Sequence, residues 1–198
     1  DISMIAGKKN DNTVTSFIRL LKTKSGNYYI KQLVNTIATE GKHSDVQAKL
    51  IKRNFYDFEA DYIVMDVNGT GLGVYDSLAK VSFDDETGQE YPAFGAFNKE
   101  QYMDRVQDED SNDVIFTINP GVELNHVAAM NIKSNLEKQR LQLLVDVNTA
   151  IGVKGNNGNL DIEEEADKLK PFVNTTMMIN ETISLEKNIV RERYIQLK

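Results

Sequence analysis

Ala60-Asp61-Tyr62-Ile63-Val64-Met65-Asp66-Val67-Asn68-Gly69-Thr70-Gly71-Leu72-Gly73-Val74-Tyr75-Asp76-Ser77-Leu78 is the stretch on which the reading of this chain turns. Tyr62 to Val67 is a short apolar run suited to a buried central strand. The run ends at Asn68-Gly69, a turn signal, and the segment from about Val74 to Lys80 reads as a helix. A strand, a glycine-rich turn and a helix form an α/β unit. Open sheets hold their ligands at the carboxyl ends of such strands, and Asp66 stands at that end.

A carboxylate closing an apolar strand is costly unless a charge or hydrogen bonds compensate it. A hard divalent cation with oxygen ligands would do so. So would the amides of the following turn, which Asp66 could simply cap. The residues alone leave both readings open. A dinucleotide fingerprint fits poorly: Gly69, Gly71 and Gly73 spell G-x-G-x-G, not G-x-G-x-x-G. The acid also precedes the glycines, where that motif places it about 20 residues after them. The sequence contains no G-x-x-x-x-G-K-[ST] phosphate loop, so these residues do not hydrolyse ATP through one.

Working outward, the β-branched and apolar residues of Thr13–Leu21 predict a strand, and Lys22–Asn27 with Ser25-Gly26 a hairpin turn. Tyr28–Thr39 follows as a second strand. Asp1-Ile2-Ser3-Met4 reads as the tail of a preceding strand, so three antiparallel strands open the chain. Ser44-Asp45-Val46-Gln47 has the form of a capping box. It would start a helix with Val46, Leu50, Ile51, Phe55 and Phe58 on one side.

Beyond the central strand, residues 83–112 are polar and turn-rich around Tyr91-Pro92-Ala93-Phe94. Val114–Ile118 is expected as a strand, Leu124–Arg140 as a long helix and Leu141–Val145 as a strand or edge segment. Gly152–Asn159, with three glycines and three asparagines, reads as a flexible loop. A helix over Asp161–Leu169 should break at Pro171, with a further helix over Val173–Lys187 and a strand over Ile189–Leu197. Three strands, a helix, a central strand and then mixed elements is an RNase H-like order. The expected fold is therefore α/β, with a mixed central sheet flanked by helices, in one domain spanning residues 1–198.

Composition limits the function. The 198 residues include no cysteine, which removes disulfides and thiolate metal sites. No apolar run approaches the roughly 20 residues of a membrane helix, and Asp1 and Lys8-Lys9 interrupt any signal-peptide pattern. The net charge of −7 is uneven. Residues 1–60 hold ten Lys/Arg against six Asp/Glu, whereas residues 81–120 hold two against ten. One basic flank can touch phosphates, though the isolated chain should bind DNA weakly.

The Asp66 segment resembles the nuclease domain of the phage terminase large subunit. In that family an apolar strand ends in an acid before Asn-Gly-x-Gly and a "gvyDsL" helix. Asp1-Ile2-Ser3 and Lys9-Asn10-Asp11-Asn12-Thr13 resemble the family's first strand and loop. Tyr91-Pro92-Ala93, and Asn131-Ile132-Lys133 through Leu143-Leu144, resemble its later elements. The resemblance implies a two-metal-ion endodeoxyribonuclease using Mg²⁺ or Mn²⁺, with Asp1 and Asp66 as metal-binding, catalytic carboxylates. The family's third acid would follow the last strand and is expected beyond Lys198, as most of strand one and an ATPase domain are expected upstream of Asp1. Implied partners are double-stranded DNA, the portal protein and the small terminase subunit in the host cytoplasm, with no membrane.

Other residues read more plainly. Asp11 suits a turn, and Asp76 suits a cap or an ion pair. His43 fits an exposed loop, and His126 a surface or satisfied-core position. Lys8 and Lys9 could contact phosphate but are more simply solvated. Met177-Met178 has core spacing, and Glu163-Glu164-Glu165 suits an exposed helix start. Two rival functions remain: another RNase H-like nuclease, such as a Holliday-junction resolvase or a transposase core, or a non-catalytic domain that docks the portal or small subunit.

Overall fold

The strand expected before Asp66 forms at Ile63–Asp66 in the computed structural model, which describes residues 13–106, 108–154, 162–184, 187–190 and 194–197. In chain order the first elements are β1 (Thr13–Lys22), β2 (Tyr29–Thr39), α1 (Ser44–Asp57), β3 (Ile63–Asp66) and α2 (Thr70–Leu78). Next come β4 (Ser82–Asp84), β5 (Gln89–Tyr91), β6 (Phe94–Ala96), α3 (Glu100–Met103) and β7 (Asn112–Ile118). The remainder are α4 (Val122–Glu137), β8 (Leu141–Gln142), α5 (Val147–Lys154), α6 (Ile162–Ser184), β9 (Lys187–Val190) and β10 (Tyr194–Leu197). The architecture is mixed α/β. It divides into two compact units, one holding Thr39–Pro120 with Thr13, the other Val14–Ala38 and the chain from Gly121 onward. The strand expected at residues 1–4 lies outside the described residues, as does most of the Gly152–Asn159 loop. No helix among the described residues is long and apolar enough to cross a membrane.

The first unit is built on a parallel sheet in the order β3-β7-β6. β7 lies in the middle, with Ile63 opposite Ile115 and Asp66 opposite Ile118 on one side, and Phe94 opposite Asn112 on the other. Strand side chains alternate between faces, and the alternation decides what is buried here. Met65 and Ile115 join Val74, Tyr75, Leu78, Phe94 and Ala96 in a core against α1 and α2. Val64 and Phe116 face the other way and are 67% and 41% exposed. The expectation of a buried central strand is thus corrected: β3 lies at the sheet's edge, and β7 is the central strand. Phe97 packs its ring 5.7 Å from Tyr62 and 5.8 Å from Phe116.

The helices correct the sequence reading in three ways. α1 turns Gln47, Ala48 and Lys52 inward, with Ile51 and Phe55 beside them, while Val46 and Phe58 of the expected face are exposed. The rotation is possible because the buried polar groups are satisfied. Gln47 accepts from the Thr13 hydroxyl at 3.0 Å and donates to the Lys42 carbonyl at 2.7 Å. The Lys52 ammonium donates to the Lys80 and Pro92 carbonyls.

The capping box does not form: His43 is the N-cap without a side-chain cap bond, and Ser44 donates to Asp45. α2 starts at Thr70, four residues before the expected Val74, because Gly69 turns the chain at φ +54°, a conformation that favours glycine. Within the stretch expected to be polar turns, Tyr91, Ala93 and Phe94 are buried, and β4 pairs antiparallel with β5 as a hairpin.

The second unit contains a sheet in the order β1-β2-β8, with β8 parallel to β2. The expected turn closes β1 and β2, with Gly26 at φ +71° donating its amide to the Thr23 carbonyl at 2.8 Å. α5 is absent from the sequence reading. Asp146 caps it, accepting from the Asn148 and Thr149 amides at 3.0 and 3.1 Å. α6 continues through Pro171, the position of the expected break. The Thr175 and Thr176 hydroxyls bond back to the carbonyls of Pro171 and Phe172. Met177 and Met178 are exposed and not in the core. The closing strand is a hairpin, β9 antiparallel to β10.

Candidate functional site at the carboxyl edge of the parallel sheet

Parallel strands bring their carboxyl ends to one edge, so β3, β6 and β7 deliver Asp66, Asn98 and Asn119 to the same side of the first unit. Asp66 is half-buried there. Its Oδ1 accepts the Asn68 amide at 2.8 Å, which closes the turn before Gly69. Among the described residues this is the one hydrogen bond of the Asp66 side chain, and Oδ2 takes no part in it.

The edge is cross-tied by amides. The Asn68 side chain donates to the Pro120 carbonyl at 3.1 Å and accepts from Asn119 Nδ2 at 3.1 Å. Asn119 Oδ1 accepts from the Lys99 ammonium, and Asn119 Nδ2 lies 3.3 Å from the Tyr102 hydroxyl. Asn98 grips β7 through three bonds: its Nδ2 donates to the Thr117 carbonyl at 2.8 Å, and its Oδ1 accepts the Thr117 amide and hydroxyl at 2.9 and 3.0 Å. Beneath it, the fully buried Tyr75 donates its hydroxyl to the Tyr102 carbonyl at 2.6 Å and accepts the Ala96 amide at 3.2 Å. Burial pushes the Tyr75 phenol above its ordinary range, so it stays a neutral strut.

The Asp66 carboxylate is a hard donor of the kind Mg²⁺ and Mn²⁺ accept, whereas the side-chain oxygens of Asn68 and Asn119 are taken by Asn119 Nδ2 and the Lys99 ammonium. Among the described residues, no group of three or more His, Cys, Asp or Glu side chains is placed to hold a metal ion. Asp1, Lys8, Lys9 and Asp11 lie outside the described residues. Asp76 pairs with Arg105 at 2.5 Å, as an ion-pair role predicts. His43 is exposed at the start of α1 and His126 is partly exposed on α4.

The sequence matches no protein-family model, and no curated protein and no solved structure matches it.

Sequence reading misses Asn98, Lys99, Tyr102 and Asn119. Their signal is positional, since Asn98 and Asn119 follow closely on the ends of two parallel strands, as Asn68 does on a third. A second concavity in the same unit, a cleft of about 240 Å³ between α1 and the β4–β5 hairpin, has a different character. Its acids are already matched, Asp85 to Lys49 at 3.3 Å and Asp84 and Glu86 to Arg53 at 2.6 and 2.8 Å, and Lys42 also lines it.

Proposed function

We propose that this chain is a metal-dependent DNA endonuclease of RNase H-like type, the nuclease part of a viral DNA-packaging terminase large subunit. The observation that carries the reading is the position of Asp66. It closes β3 at the carboxyl edge of a parallel sheet, with one carboxylate oxygen committed to the turn. The parallel pairing of β3 with β7 and the Asn68-Gly69 turn support it, and so does the sequence resemblance around them.

In this reading Asp66 would hold a divalent ion, with its Oδ1 bonded to the Asn68 backbone amide. When bound, Mg²⁺ or Mn²⁺ supplies the activation of water and the stabilisation of the leaving 3′ oxygen. The chain fixes the carboxylate's rotamer through the Asn68 turn and ties the turn to β7 and α3 through Asn119. Asp1 would add a second carboxylate to the ligand set. Cleavage would leave a 5′ phosphate on double-stranded DNA with little sequence preference, because no helix among the described residues has the character of a base reader. The portal protein and the small terminase subunit are the partners this role implies.

A plasmid-nicking assay with Mn²⁺ on the intact protein tests the proposal. Metal-dependent cutting that Asp66→Ala abolishes is the expected result. An intact protein that does not cut in Mn²⁺ or Mg²⁺ overturns it in favour of a docking domain.

A further inference from the structure

The edge that carries Asp66 also carries a cation with no carboxylate partner among the described residues. Residues 81–120 hold two basic side chains, Arg105 and Lys99, against ten acids. Arg105 is paired with Asp76. Among the described residues Lys99 has no acidic partner: its ammonium donates to Asn119 Oδ1 and stands 5.7 Å from the centre of the Tyr102 ring. An amide oxygen and an aromatic face are neutral partners, so they orient the ammonium without cancelling its charge. An ammonium has three N–H donors, so capacity remains for a further acceptor.

The placement is fixed from two sides. Lys99 directly follows Asn98, which three hydrogen bonds lock to Thr117 of β7. Its acceptor, Asn119, is bonded to Asn68, whose own amide holds Asp66. The side chains of Asn119 and Asn68, and the Asn68 backbone amide, therefore connect the cation to the turn of the proposed metal-binding acid. An oriented ammonium with no acidic partner among the described residues is a place for an anion, although the acids of this segment oppose one.

We infer that Lys99, held by Asn119 and Tyr102, binds a DNA phosphate at the carboxyl edge of the sheet and seats the strand beside Asp66. The choice of DNA as the source of that phosphate rests on the nuclease reading. Lys99 is a substrate-positioning residue, and its contribution is electrostatic and independent of base sequence.

The test is fluorescence anisotropy of a short mixed-sequence duplex titrated with the intact protein at several salt concentrations. Lys99→Gln should weaken binding several-fold and flatten the dependence of log affinity on log salt by about 0.9, the share of one phosphate contact. Lys99→Arg should keep both near the unaltered values, and thermal midpoints of the two variants show whether folding is intact. Asp66→Ala should keep the Lys99-dependent slope while losing cutting. If Lys99→Gln binds with unchanged affinity and slope, or the unaltered protein does not bind the duplex, the inference is overturned. A protein that binds through Lys99 yet never cuts would overturn the nuclease reading and leave the phosphate contact standing.

Discussion

Asp66 and Asp84 are local twins with opposite fates. Each closes a short strand, and each accepts an amide from two residues on, Asn68 at 2.8 Å and Glu86 at 3.1 Å. Asp84 is 2% exposed and gripped by the Arg53 guanidinium, with Nε to Oδ2 and Nη2 to Oδ1 both at 2.8 Å. Asp66 is half-buried and has no such cation among the described residues. The turn chemistry is common to both and diagnoses nothing. What separates a structural acid from an available one is whether the fold has already supplied its counter-charge.

The comparison breaks most visibly at Asp84. Replacing it with alanine leaves Arg53 in its cleft with only the exposed Glu86, so Asp84→Ala should lower the thermal midpoint further than alanine at Asp66 or methionine at Lys52. Asp66→Ala removes one turn hydrogen bond and should cost no more than about 1 kcal/mol while abolishing cutting. Equal destabilisation by the two aspartate variants in calorimetry would erase the distinction.

Acid sharpens the same contrast. Burial alone would raise the Asp84 carboxyl, but the hydrogen bonds and charge of Arg53 and the Glu86 amide outweigh it and hold the group below its ordinary value. A depressed carboxyl stabilises the fold fully above its unfolded pKa of about 4 and loses that contribution as pH falls through the folded value. Wild-type and Asp84→Asn stabilities, measured by denaturant titration, should therefore converge as the pH falls from the unfolded carboxyl value through the depressed folded one.

Lys52 is the alkaline counterpart, a buried cation served by carbonyls and by no carboxylate. Lys52→Met strands the Lys80 and Pro92 carbonyls and should cost about 1–3 kcal/mol in urea unfolding. Burial lowers the Lys52 ammonium from 10.5 to about 8. The folded chain then binds fewer protons than the unfolded one between those values. Wild-type stability should rise relative to the variant as pH increases through that window.

The elements around Asp66 are legible in the sequence because short-range rules govern them: an apolar run, Asn68-Gly69 and the strand at Val114–Ile118. The acid's position at a strand end is legible for the same reason. α1's inward face is not, because Lys52 and Gln47 are buried by tertiary partners that no periodicity of apolar residues reveals. The helix capped by Asp146 escapes the sequence reading because its side chain supplies hydrogen bonds that loop signals alone do not predict. The helix through Pro171 escapes it because a proline costs one backbone bond, a local loss that 23 residues of helix absorb. Lys99, Asn98 and Asn119 acquire meaning only when β6 and β7 are known to end beside β3.

Crystals of the intact protein soaked in Mn²⁺ and measured for anomalous scattering test the role of Asp66 most directly. The expected result is a peak at about 2.1 Å from Asp66 Oδ2, with Oδ1 still holding the Asn68 amide. An empty edge, with both oxygens of Asp66 taken up by hydrogen bonds of the turn, would contradict it.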